Sequence, residues 1–113
     1  MCDCLFCKFV SGELETKKLY EDENMIIIRD INPQAKNHFL AIPKQHFKLI
    51  ADATPEQVEI IGKCLKKISE LTDLLELQNG YRLVINQGDD AGQSVFHLHI
   101  HILSGQKMGW QPA

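Results

Sequence analysis

No apolar run in this chain approaches the roughly 20 residues that a membrane-spanning helix needs. The start, Met1-Cys2-Asp3-Cys4, has no basic segment followed by an apolar one, so no secretory signal is expected and the expected compartment is the cytoplasm. Positive charge is not in excess. A net charge of −3 gives no electrostatic reason to expect nucleic acid or an anionic membrane as a partner. Repeats, low-complexity stretches and linkers are missing, and so is a Walker-type glycine loop that would hold Mg²⁺ beside a triphosphate. In a reducing compartment the four cysteines are expected as thiols or metal ligands, not disulfides.

What is present is ordinary globular composition, 44% hydrophobic and 24% charged. At 113 residues the chain is one domain, 1–113, long enough to bury well over half of its unfolded surface. Residues 4–10 read as a short helix ending near Gly12. Residues 19–20, 25–30, 39–43, 81–87 and 97–103 read as strands. Between the third and fourth strands lies one long helix. Thr54 is a good N-cap, Pro55 suits the first helical position and Gln57 completes a capping box. Val58, Ile61, Leu65, Ile68 and Leu75 follow at helical spacing, and Asn79-Gly80 supplies the stop. Strands on either side of one helix predict an α+β fold with an antiparallel sheet.

Histidine is concentrated rather than scattered. Three of the five lie at alternate positions in Gln93-Ser94-Val95-Phe96-His97-Leu98-His99-Ile100-His101-Ile102-Leu103. On a strand, alternate side chains share a face, so three imidazoles would line one side while Leu98, Ile100 and Ile102 enter a core. Histidine is the side chain that most readily titrates, attacks or binds metal near neutral pH. One shared metal ion is a poor reading of the row. His97 to His101 spans about 13 Å on a strand, whereas metal–nitrogen bonds are about 2 Å. One end of the row is therefore expected to act differently from the other.

The run from His97 to Leu103 resembles, without a gap, the His-φ-His-φ-His-φ-φ signature of the histidine triad family, φ being apolar. The likeness extends over nearly the whole chain: Asp30-Ile31-Asn32-Pro33-Gln34-Ala35, His38-Phe39-Leu40-Ala41-Ile42-Pro43-Lys44, Asn86-Gln87-Gly88 and Gly92-Gln93-Ser94. The tail Met108-Gly109-Trp110-Gln111-Pro112 points to the Hint branch, the nucleoside phosphoramidases. The resemblance implies a five-stranded antiparallel sheet joined to that of a second copy in a homodimer. It implies that His99 attacks the α-phosphorus of a nucleotide, forming a nucleotidyl-histidine that water hydrolyses. A neutral imidazole is nucleophilic at pH 7, and its other nitrogen should donate to a fixed acceptor, a backbone carbonyl by family precedent.

By the same resemblance, His101 and His38 meet the nonbridging oxygens, Ser94 bonds the leaving group or a phosphate oxygen, and Gln93 stands beside it. Asn86 orients phosphate or ribose, and Asp30 accepts both ribose hydroxyls. Leu5, Phe6, Phe9, Ile28 and Ile31, which spacing alone would assign to the core, would form the slot for a base, with purine (an AMP-type ligand) preferred. Ile28 departs from the aromatic frequent there in the Hint branch, which weakens stacking. Trp110 would lie beside the partner subunit's site, although Gly109 and Gln111 differ from its common neighbours.

Cys4-Leu5-Phe6-Cys7 is a CxxC pair, which suits zinc, redox chemistry or two half-buried thiols. A thioredoxin-like role would want a preceding strand. Zinc needs four ligands, and His46 and His97 are candidates for the missing two, a set that some family members use for structural zinc. Such a zinc would not be the catalyst, because the nucleophile is a side chain and no catalytic metal is required. Cys64 is expected to be a small buried residue in the long helix. Two other functions compete with phosphoramidate hydrolysis: a dinucleoside polyphosphate hydrolase of the Fhit type, and a nucleotide-binding regulatory partner protein. The Gln93-Ser94 pair and the Trp110 tail favour the first.

Overall fold

Isoleucine supplies the middle of the sheet. In this computed structural model, which describes residues 4–110, strand β2 is Met25–Arg29 and its first four residues are all buried. Met25 and Ile27 enter the core beneath the long helix, while Ile26 and Ile28 enter a second apolar cluster on the opposite face. A strand covered on both faces reads as a continuous apolar run, and that is why this one does. The other strands are β1 (Tyr20–Glu21), β3 (Asn37–Pro43), β4 (Tyr81–Val84) and β5 (Ile100–Ser104). All pair antiparallel in the order β1-β2-β3-β5-β4, which leaves β1 and β4 at the edges. The expected α+β class and five-stranded antiparallel sheet are what the chain adopts.

Helix α1 is Leu5–Ser11. The Cys4 sulfur caps its start by accepting from the Cys7 N–H at 3.3 Å, and left-handed Gly12 ends it. Helix α2 is Pro55–Glu70, opened by the expected capping box. The Thr54 hydroxyl oxygen accepts from Gln57 N–H at 3.2 Å, and the Gln57 side chain accepts from Thr54 N–H at 2.9 Å. Among the described residues, no helix is long and apolar enough to cross a membrane.

Four expectations need correction. The long helix does not run to Asn79. It breaks at Leu71, which ends α2 and caps a short α3, Thr72–Leu75, before Glu76 turns left-handed. The left-handed turn at Glu76 lets Leu75 and Leu77 both reach the core. Positions two apart on a continuous helix would face different ways. Val58, expected on the apolar stripe, is exposed, and α2 buries Ile61, Cys64 and Ile68 instead. The triad strand starts at Ile100, not His97. Pro43, which has no N–H to donate, ends β3 on that side. Beyond it Leu98 N–H bonds the Phe47 carbonyl at 2.7 Å, which takes residues 97–99 out of the ladder. Strand β4 likewise ends at Val84 rather than residue 87. Cys2 and the tail residues Gln111, Pro112 and Ala113 lie outside the described residues.

Candidate active site

The β3–β5 register brings two distant histidines together. Leu40 pairs with His101 and His38 with Leu103, so His38 and His101 are diagonal neighbours on the face away from α2. His38 Nε2 lies 2.9 Å from His101 Nδ1 and 3.4 Å from an Asp30 carboxylate oxygen. Asp30 follows β2. Its other oxygen accepts from Asn32 N–H at 2.8 Å, folding the connection back toward His38.

Partners that can only donate or only accept determine the tautomers. The Gln34 N–H donates to His38 Nδ1 at 2.9 Å, so the His38 proton is on Nε2 and is donated toward His101 Nδ1 and Asp30. Accepting at Nδ1, His101 carries its proton on Nε2, 3.4 Å from Asn86 Nδ2; a bond between them forms once the Asn86 amide is turned to present its oxygen. His99 donates Nδ1–H to the His97 carbonyl at 2.8 Å, leaving Nε2 with a free lone pair. This is the carbonyl partner expected for a nucleophile. Asp30, His38 and His101 could also be seen as a metal-binding group. The His38 nitrogen that would be a ligand, however, is already a proton donor.

Burial keeps these rings neutral. Desolvation pushes His101 down to about 4, helped by the neighbouring His99 and His38 rings and opposed by Asp30. Desolvation also lowers His99, against its bond to the His97 carbonyl and the Asp30 charge. His38 is lowered by desolvation against Asp30. A neutral His99 with its lone pair free is the nucleophilic form.

His99 and His101 line a cavity of about 300 Å³, together with Asp30 and Ser94. That is the lower end of the range for small-molecule sites. Leu5, Phe6, Phe9, Ile28 and Ile31 form its apolar wall, with Ile31 largely exposed. Four further lining residues, Thr16, Arg29, Leu40 and Val95, were not foreseen. Leu40 was accessible from the pairing that puts it opposite His101, whereas Thr16 lies on a loop with no pattern to reveal it.

Four anticipated contacts lie elsewhere, Asn86 among them, which reaches His101 and does not line the cavity. His38 stands behind His101 and does not line the cavity, so its contacts suit positioning rather than phosphate binding. Gln93 is buried and its amide is spent on backbone: it accepts from Gly88 N–H at 2.8 Å and donates to the Lys48 and Val95 carbonyls at 3.1 and 3.4 Å. It braces the loop that carries Ser94. Trp110 is 92% exposed and does not line this cavity.

The first triad histidine does a separate job. His97 donates Nε2–H to the Pro43 carbonyl at 2.7 Å, so its Nδ1 is bare. That Nδ1 lies 3.2 Å from His46 Nδ1, and the Cys4 and Cys7 sulfurs lie 3.3–3.6 Å from the two nitrogens. A tetrahedral zinc with bonds of about 2.0–2.1 Å to nitrogen and 2.3 Å to sulfur has edges of about 3.3 and 3.6 Å. The four residues thus fit a structural zinc, by spacing and by donor set. Cys7 is disulfide-bonded, against the expectation of thiols or metal ligands. Zinc ligation uses the thiolate, so it belongs to the reduced protein. Cys64 is buried and its thiol is pushed up to about 12 by desolvation, as suits an inert core residue.

Comparison with known proteins gives a consistent answer. Residues 3–111 match the sequence family described as scavenger mRNA decapping enzyme C-term binding. The chain is 44% identical over 103 residues to protein HitA of Neisseria gonorrhoeae, a match covering 91% of this chain and 96% of that protein. The solved structure of a HIT family hydrolase from Clostridium thermocellum is similar with a TM-score of 0.89 at 40% identity, covering 98% of this chain and 97% of that one. A Zn-bound histidine triad family protein from Mycobacterium smegmatis gives a TM-score of 0.77 at 35% identity, covering 97% and 82%.

Proposed function

This chain belongs to the histidine triad family, and on that premise we propose that it is a hydrolase of nucleoside 5′-phosphoramidates, releasing a nucleoside monophosphate and an amine. One observation carries the reading. Burial keeps the His99 ring neutral, and donation of Nδ1–H to the His97 carbonyl leaves Nε2 unprotonated, in a cavity shared with Asp30 and Ser94.

His99 Nε2 attacks the α-phosphorus as the P–N bond breaks. The amine departs with a proton drawn from water through the Ser94 hydroxyl. Water then attacks the nucleotidyl-histidine. Over both steps one water molecule supplies the proton that leaves with the amine and the oxygen that stays on phosphorus. The His101 Nε2–H donates to a nonbridging oxygen where charge builds, which is the main demand of phosphoryl transfer. His38 and Asp30 keep that proton on Nε2, and Asp30 also accepts the ribose hydroxyls. The apolar wall from α1 and Ile28 takes a purine base.

Cys4, Cys7, His46 and His97 would hold a structural zinc, as a zinc-bound relative supports. It ties chain segments together and takes no part in the chemical steps. The functional unit is a two-fold homodimer. The outer edge of β4 has no partner strand among the described residues, and aromatic residues such as Trp110 favour interfaces. A monomer in sedimentation at micromolar concentration would remove the dimer. The function itself is tested by turnover of adenosine 5′-phosphoramidate beside a diadenosine polyphosphate. Faster cleavage of the polyphosphate would replace this reading with the Fhit-type one.

A further inference from the structure

We propose that the Cys4–Cys7–His46–His97 cluster fastens the base wall of the cavity, so that metal occupancy there sets how tightly the base of a ligand is held. The proposal rests on the nucleotide reading above and adds a control on that site.

The wall is weakly supported by itself. Helix α1 has seven residues and buries only Phe6. A helix this short has no stability of its own and depends on what it packs against. Yet Leu5, Phe6 and Phe9, all on α1, form one side of the cavity. Cys4 and Cys7 bracket the first two of these residues. The other two ligands belong to the body of the domain: His46 follows β3, and His97 is held by the Pro43 carbonyl just before β5. A cation shared by the four therefore adds bonds between the wall and the sheet, beside the packing of Phe6 on Ile26, Ile28, Leu40 and Ile42 and the sulfur–imidazole contacts of 3.3–3.6 Å. The wall also rests directly on the cluster. The Phe6 ring meets His97 edge-on at 6.0 Å and the candidate nucleophile His99 at 4.9 Å. Moving α1 thus displaces Phe6 from between the metal ligand and the cavity floor.

Because only the base end of a ligand would touch α1, the effect is selective. The test uses the full chain with its thiols kept reduced, in zinc-loaded, chelator-stripped and zinc-restored forms, with zinc content measured for each. Calorimetry gives affinities for AMP and for ribose 5-phosphate, which lacks the base. Stripping is expected to weaken AMP by about tenfold or more, and restored zinc to recover it. Ribose 5-phosphate should change by less than about twofold. Backbone amides of residues 5–11 should exchange faster in the stripped protein. His46→Ala, which alters no lining residue, should reproduce the stripped behaviour. Unchanged AMP affinity in fully stripped protein, or equal weakening of both ligands, would overturn the proposal. If zinc-loaded protein binds no AMP at all, the nucleotide reading fails instead. Amide exchange then still decides the fastening: faster exchange on stripping supports it and unchanged exchange refutes it.

Discussion

Replacing His38 by alanine should cripple turnover although His38 does not line the cavity. The ring is 97% buried and has two bonds: it accepts from Gln34 N–H at 2.9 Å and donates Nε2–H toward His101 at 2.9 Å, with Asp30 at 3.4 Å. The donated proton is what keeps the His101 proton on Nε2, facing Asn86 and the cavity. Without it His101 can carry its proton on either nitrogen, and on Nδ1 it offers the substrate no donor. Losing one hydrogen bond of this kind costs roughly 0.5–1.5 kcal/mol at His101, and losing the bond from Gln34 N–H, on an exposed residue that water can reach, costs about the same at most. The first of these acts on the donor that meets the transition state, so kcat should fall about tenfold. The second is a loss of folding stability. Michaelis constants should move little.

The pH profile distinguishes this mechanism from general damage. In the parent protein His101 stays neutral until about pH 4, because it is desolvated and has His99 and His38 as neighbours. His99 and His38 are also held below the ordinary histidine value, so the acid limb of kcat/KM should lie below about 6.5. Removing the His38 ring opens the site to water and removes one neighbour. Both changes raise the His101 pKa, and the acid limb should move to higher pH. In His38→Gln an amide N–H can replace the lost donor, and kcat should recover part of the way. Steady-state kinetics from pH 4 to 9 with adenosine 5′-phosphoramidate would check all three variants. An alanine variant with parental kcat and an unmoved acid limb would refute the relay from Gln34 through His38 to His101.

Three further outcomes follow from the same geometry. His99→Asn should lower phosphoramidase turnover by several orders of magnitude while leaving AMP binding within a few-fold; near-normal turnover would exclude His99 as the nucleophile. Asp30→Asn should erase about 10- to 100-fold of any preference for ribose over deoxyribose, the value of a charged hydrogen bond of 1.5–3 kcal/mol, and a ratio that stays put would show that Asp30 does not bind the sugar. Thr54→Ala removes the side-chain half of the α2 capping box and should cost about 1 kcal/mol in denaturant unfolding without changing kcat; a larger kinetic effect would mean that α2 reaches the site by a route not described above.

Local chemistry decided much of this protein before it folded. The Thr54-Pro55-Glu56-Gln57 start of α2, the Gly12 stop of α1 and the apolar run of β2 are consequences of propensity, capping and burial. They need only near neighbours, and the sequence alone was enough to find them. The alternating histidines also announced a site, and the 13 Å span of their row indicated that one end would differ. Other features depend on residues far apart in the chain. His97 leaves the strand because the β3 ladder ends at Pro43 and Leu98 bonds Phe47, and only then does its ring meet Cys4, Cys7 and His46. The helical stretch stops at Leu75, short of Asn79, and left-handed Glu76 lets the core take Leu75 and Leu77 together. Gln93, placed by sequence beside the substrate, spends its amide on the Gly88, Lys48 and Val95 backbone. His38 became a positioning residue through the β3–β5 register and the Gln34 amide. Which residue types can do chemistry was legible in one dimension. Which nitrogen holds the proton, and what it faces, depends on partners up to 93 residues away, and only the packed chain brings those partners within hydrogen-bond reach.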